Sequence, residues 1–142
     1  MLRSIRFLAV AGFILSIAPV ARAETSVDPS SLYEVSFGAS ERVTKGEKGR
    51  VTVRIQPKAG AHVSAEAPAS LTLVANQGLT VAREKSGKAD LKFTGDIASF
   101  EVPFTASASG KATIDASLRF YICTEQACTQ QDRKASLTVA VP

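Results

Sequence analysis

The chain has 142 residues, with 17 lysines and arginines against 13 aspartates and glutamates, a formal charge of +4, and only two cysteines. Three of the cations, Arg3, Arg6 and Arg22, lie in an N-terminal stretch that reads as cleavable; without them the balance is 14 against 13, a net of +1. Such a balance, with no Lys/Arg cluster interleaved with aromatics, argues against a nucleic-acid partner, and the length is that of one ordinary domain.

Arg3 and Arg6 precede the apolar run FLAVAGFILSIAPVA, and ARA follows, with Ala21 and Ala23 at the −3 and −1 positions of a cleavage site before Glu24. A basic start, an apolar centre and a small-residue site make a secretory signal peptide over residues 1–23. The run falls short of the roughly 20 residues a membrane-spanning helix needs. The expected mature chain starts at Glu24 after cleavage behind Ala23, and the short bacterial form of the signal points to the periplasm. Under such oxidising conditions an even cysteine count implies a disulfide, so Cys123 and Cys128 are expected to be joined.

Residues 24–32 (ETSVDPSSL) are polar and contain a proline, and they read as a flexible leader to a domain over 33–142. Beyond them the period is two. GRVTVRIQP puts Val51, Val53 and Ile55 on one face, SLTLV offers Leu71 and Leu73, and ASFEVPF offers Phe100, Val102 and Phe104. ATIDASLRFYIC sets Ile114, Ala116, Leu118, Phe120 and Ile122 against Asp115, Ser117, Arg119 and Tyr121; ASLTVAV ends the chain with Leu137, Val139 and Val141. Alternation of this kind marks strands with one buried face. KGEKG, PKAG, NQG, KSGK, TGD and SASGK punctuate them as turns. About seven to nine short strands and no helical period predict an all-β, immunoglobulin-like sandwich. Tryptophan is absent and the cysteines stand too close together for the inter-sheet bridge of an antibody domain.

Strand parity places Cys123 at a strand end with Tyr121, Arg119 and Ser117, facing away from the apolar row. TEQA then turns the chain and RKASLTVAV returns antiparallel, so a Cys123–Cys128 bridge closes the mouth of a hairpin. Three readings of the pair differ in chemistry. A metal clip lacks ligands, because His62 is the single histidine and the mature chain has no methionine, whereas a closed zinc site takes four ligands; no metal and no cofactor is expected. A structural staple closing so small a ring contributes only roughly 2 kcal/mol. A redox pair needs an accessible sulfur and a neighbour that favours the thiolate; Glu125 in the loop opposes this, while Arg119, Arg133 and Lys134 favour it if they come near. From spacing alone, staple and redox pair both stand.

His62 invites a catalytic role because imidazole titrates near neutrality, but no nucleophile or acid stands at a recognisable spacing, so it reads as a loop histidine. Tyr121 could shield the pair or lie as a plain surface tyrosine. The carboxylates are scattered, and no phosphate-cradling loop or hydrolase nucleophile motif occurs.

LRFYICTEQACTQQDRKASLTVAV resembles the end of the N-terminal periplasmic domain of the thiol:disulfide interchange protein DsbD, where an aromatic-containing strand runs into a close cysteine pair, a polar turn and a Val-rich strand. QPKAGAHVSAEAP and LKFTGDIASFEVPF are similar to two upstream segments of that family, and the likeness extends over about residues 33–141. The resemblance implies an immunoglobulin-like domain that takes electrons from a membrane thiol reductase, or a thioredoxin-like protein, and passes them to periplasmic proteins. It implies Cys123 and Cys128 as the working groups, with Cys128 forming the mixed disulfide. It also implies a cap aromatic over the pair, best matched by Phe93, two residues before Gly95. The rival expectation is a non-catalytic binding or assembly module whose sheet edge recruits a partner strand.

Overall fold

A computed structural model describes residues 27–142; the signal peptide expected over 1–23 lies outside the described residues, as do leader residues 24–26. Pro29–Leu32 form a single 3-10 turn, capped by Asp28, whose carboxylate accepts from the Ser30 N–H at 2.9 Å. That hydrogen bond is the main reason the Asp28 carboxyl titrates below its ordinary range. The Leu32 carbonyl accepts from the Lys58 N–H at 2.8 Å, which ties the segment to the domain.

Ten strands follow: β1 (Tyr33–Ala39), β2 (Lys48–Pro57), β3 (His62–Val63), β4 (Ser70–Ala75), β5 (Leu79–Val81), β6 (Lys85–Gly87), β7 (Lys92–Thr94), β8 (Ile97–Ala106), β9 (Gly110–Cys123) and β10 (Cys128–Val141). One sheet has the order β1-β2-β8-β5, with β7 also on β8; the other has β10-β9-β4-β6, with β3 also on β9. The ladders within each sheet are antiparallel. This is the expected immunoglobulin-like β-sandwich. The strand count reaches ten because β3, β5, β6 and β7 are two or three residues long, too short for alternation to reveal them.

The alternating rows meet between the sheets. Val51, Val53, Ile55 and Phe100 from the first sheet, and Ile114 and Phe120 from the second, are fully buried. Each large apolar side chain so removed from water contributes roughly 1.5–3 kcal/mol relative to exposure. Gly49 pairs with Phe104, and the Phe104 ring lies directly over it, where a Cβ would collide with the ring atoms. A glycine in a strand is usually a weakness; here the absent side chain makes room for the ring.

At one end of the sandwich Tyr33 joins the two sheets. Its hydroxyl donates to Gln131 Oε1 at 2.8 Å, its ring meets Phe120 edge-on at 4.9 Å, and the Arg133 guanidinium lies 5.0 Å from its centroid. Burial raises the Tyr33 phenol, and the Arg133 charge partly opposes this. The same end holds the close of β9, the start of β10 and the two residues of β3.

Candidate functional site: the Cys123–Cys128 hairpin

β9 and β10 pair over fourteen residues each, from Val141↔Gly110 to Cys128↔Cys123. The two cysteines are therefore directly opposed, and they are joined in a disulfide with their Cα atoms 4.0 Å apart. The four residues between them form the turn. The Thr124 N–H donates to the Ala127 carbonyl at 2.9 Å, and Thr124 Oγ1 accepts from the N–H groups of Gln126 and Ala127 at 3.3 and 3.4 Å. Antiparallel ladders alternate wide and close pairs; with Thr124 and Ala127 hydrogen-bonded, the cysteines occupy a close pair, where two side chains can be bridged.

The two sulfur-bearing residues differ in access. Cys128 is exposed, whereas Cys123 is 2% exposed. Parity alone places Cys123 on the outer face, and that holds: Phe120 and Ile122, on the opposite parity, are buried in the core. Its burial corrects the picture of an open strand end. β3 pairs with β9 through His62↔Cys123 and Val63↔Ile122, and the Ser64 N–H donates to the Tyr121 carbonyl at 3.0 Å. Cys123 thus lies on a central strand, flanked by His62 on one side and Cys128 on the other.

His62 is consequently not a loop histidine. It is an exposed strand residue beside the disulfide. Sequence reasoning missed it because a two-residue strand leaves no periodic trace; the turn PKAG just before it was the available signal. The cations proposed to oppose Glu125 are committed elsewhere. Arg119 Nε donates to Asp132 Oδ1 at 2.8 Å, and Arg133 lies over Tyr33 and donates to the Asp132 carbonyl at 2.9 Å. Lys134 pairs with Ser117, about 20 Å along the strand from Cys128 at the usual rise per residue.

Tyr121 is half-buried on the face of Cys123, and its hydroxyl donates to Gln130 Oε1 at 3.1 Å. Gln130 Nε2 in turn donates to Asp132 Oδ2 at 3.1 Å. The Arg119 hydrogen bond first, and then that of Gln130, hold the Asp132 carboxyl below its usual range; the same pairing raises Arg119. A polar strip therefore runs from the disulfide along the outer face. Phe93 belongs to the other sheet, on β7 opposite Ala98, and is 42% exposed. Ala98 pairs with Ile55 near the end of β2, which leads through the Lys58–Ala61 turn into β3. Phe93 therefore lies toward the disulfide end of the sandwich.

No family model matches the chain, and no curated protein does. Among solved structures it is similar to AggA, the major subunit of aggregative adherence fimbriae type I from Escherichia coli, at 14% identity and a TM-score of 0.42, over 78% of this chain and 95% of that one. It is similar to a PapD-like domain of human CEP192 at 8% identity and a TM-score of 0.44, over 90% and 96%. It is also similar to murine CRIg at 8% identity and a TM-score of 0.42, over 77% and 98%. The chain is a β-sandwich domain with a hairpin disulfide.

Proposed function

We propose that this is an exported β-sandwich module that exchanges thiols and disulfides at Cys123–Cys128. The observation that supports this reading is the asymmetry of access: Cys128 is open to solvent and Cys123 is closed off. Exchange starts when a partner thiolate attacks one sulfur of a disulfide along a clear approach. Cys128 is the exposed member of the pair, so under this reading Cys123 leaves as the thiol; when Cys128 of the reduced domain later attacks a disulfide of a second protein, Cys123 resolves that mixed disulfide. The resemblance to the DsbD N-terminal domain implies the same division of labour. A membrane thiol reductase or a thioredoxin-like protein would supply electrons, and periplasmic proteins would receive them. The disulfide suits an oxidising compartment, in keeping with the export signal expected over residues 1–23.

The test is capture. With Cys123→Ser, Cys128 has no internal partner and a mixed disulfide should persist through acid quenching and a non-reducing gel; Cys128→Ser should capture far less. Equilibration with glutathione or dithiothreitol mixtures should place the wild-type potential above roughly −300 mV, the upper bound typical of structural disulfides. A second reading is a non-catalytic docking module with a pinned hairpin. It is supported by β10, which forms the edge of its sheet and is bridged by Arg42 only near its end, at Ala140. The remaining edge could accept a partner strand. No capture by either variant, with a markedly lower potential, would favour that reading.

A further inference from the structure

His62, Cys123 and Cys128 stand abreast on three neighbouring strands. His62 is directly opposite Cys123, and Cys123 is directly opposite Cys128. Directly opposed residues of antiparallel strands project from the same face, with Cβ atoms about 4.5–5.5 Å apart. The face is fixed independently, since Val63 and Ile122 form the adjoining pair and are buried on the core side. The imidazole therefore flanks Cys123 on the side away from Cys128, on the solvent side of the sheet, and it is the only imidazole in the chain.

We propose that His62 supplies the positive charge that receives Cys123 as it leaves the disulfide. This deepens the exchange reading and rests on it. A partner thiolate attacks Cys128 Sγ; the partner–Cys128 bond forms, the Cys123–Cys128 bond breaks, and the electron pair goes to Cys123 Sγ. An imidazolium beside that sulfur stabilises the new thiolate or passes it a proton, and lower basicity of the departing thiol speeds its departure. A second thiolate of the same partner then displaces Cys128. The partner leaves as a disulfide and the domain as a dithiol, two electrons having moved from one to the other.

The other charged and titratable groups around this face do not duplicate the role. On β9 and β10, Arg119 is bound to Asp132, and Tyr121 donates to Gln130. At the end of β2, Lys58 pairs with Glu34, and beyond β3 Glu66 pairs with Lys88. Glu125 in the turn is an anion and works against a thiolate. Carboxylates ordinarily titrate below about 5 and phenols and amines near or above about 10, whereas an imidazole changes charge near about 6.5. Among side-chain types, imidazole is the one whose ordinary titration falls between about pH 5.5 and 8, and this face carries one beside Cys123.

The experiment measures reduction of the purified oxidised protein by dithiothreitol between about pH 5.5 and 8, each rate divided by the concentration of dithiothreitol thiolate. The wild-type value should fall by about threefold or more as pH rises, the size expected when a neighbouring cation lowers the leaving thiol's pKa by about one unit. His62→Gln should be flat at the wild-type high-pH value, and His62→Lys should be flat near the low-pH value. His62 is exposed, so neither substitution removes core packing. Superimposable profiles for wild type and His62→Gln would overturn the assignment even if a partner is captured through Cys128. A histidine-dependent profile supports it, and capture separately decides whether the exchange serves a partner.

Discussion

Removing the disulfide without changing a side chain isolates its energetic role, and reduction of the wild-type protein does this. The cysteines are five positions apart, so the closed ring has about six residues and the chain-entropy relation assigns it roughly 2 kcal/mol. The ladder it closes is already paired over fourteen residues of each strand, and most of the core, Val51–Ile55, Phe100–Phe104 and Ile114–Leu118, lies along the sheets away from the hairpin mouth. The bond is thus a small addition to a domain that has its own core. Urea unfolding, followed by far-ultraviolet circular dichroism with and without excess reductant, should show a stability difference of about 2 kcal/mol, with both forms β-rich before the transition. Reduction also leaves the Cys123 side chain in place, avoiding the buried hydroxyl that a serine would introduce. A loss above about 4 kcal/mol, or an unfolded reduced protein at zero denaturant, would refute this reasoning and make the pair a staple.

Two further outcomes test the fold and its charges. Gly49→Ala should destabilise the protein by about 1–3 kcal/mol in the same urea assay, because the new methyl meets the ring of Phe104, a core side chain that would have to shift. Asp132 titrates lower in the folded chain than its ordinary value because Arg119 and Gln130 hydrogen-bond it. The stability this contributes is full above the unfolded carboxyl value, near about 3.9, and is lost as pH falls through the lower folded value. Thermal melts from about pH 5 down to 2 should therefore show a smaller loss for Asp132→Asn than for wild type, while Asp28 and Asp90, also lowered, keep some acid sensitivity in both.

The long strands were legible because their residues alternate over many positions: Ile114 through Ile122 and Val51 through Ile55 state which face is inward. The hairpin was legible too, since TEQA separates two such runs and fixes Cys123 opposite Cys128. Other features left no such trace. A two-residue strand has no period, so β3, and with it the burial of Cys123 and the position of His62, depended on a tertiary pairing. The commitment of Arg119 to Asp132 and of Arg133 to Tyr33 likewise comes from cross-strand register and from the meeting of the two sheets. Asp28 followed by Pro29 carries the local signature of a capped turn, but the general polarity of ETSVDPSSL masks it.

β3 has a consequence out of proportion to its length. Without it, the Cys123 end of β9 would have β10 as its one neighbouring strand, because β4 pairs with β9 only as far as Arg119. Pairing His62 and Val63 with β9 turns the Cys123 position into a central one while Cys128 stays beside the turn, and the two residues differ in exposure. The same pairing sets an ionisable ring beside Cys123, the residue that would accept the electron pair if the proposed exchange takes place. Direction of attack and stabilisation of the leaving thiol would then have one structural origin. Moving His62 one position along the chain would turn the ring toward the core side and separate the two effects.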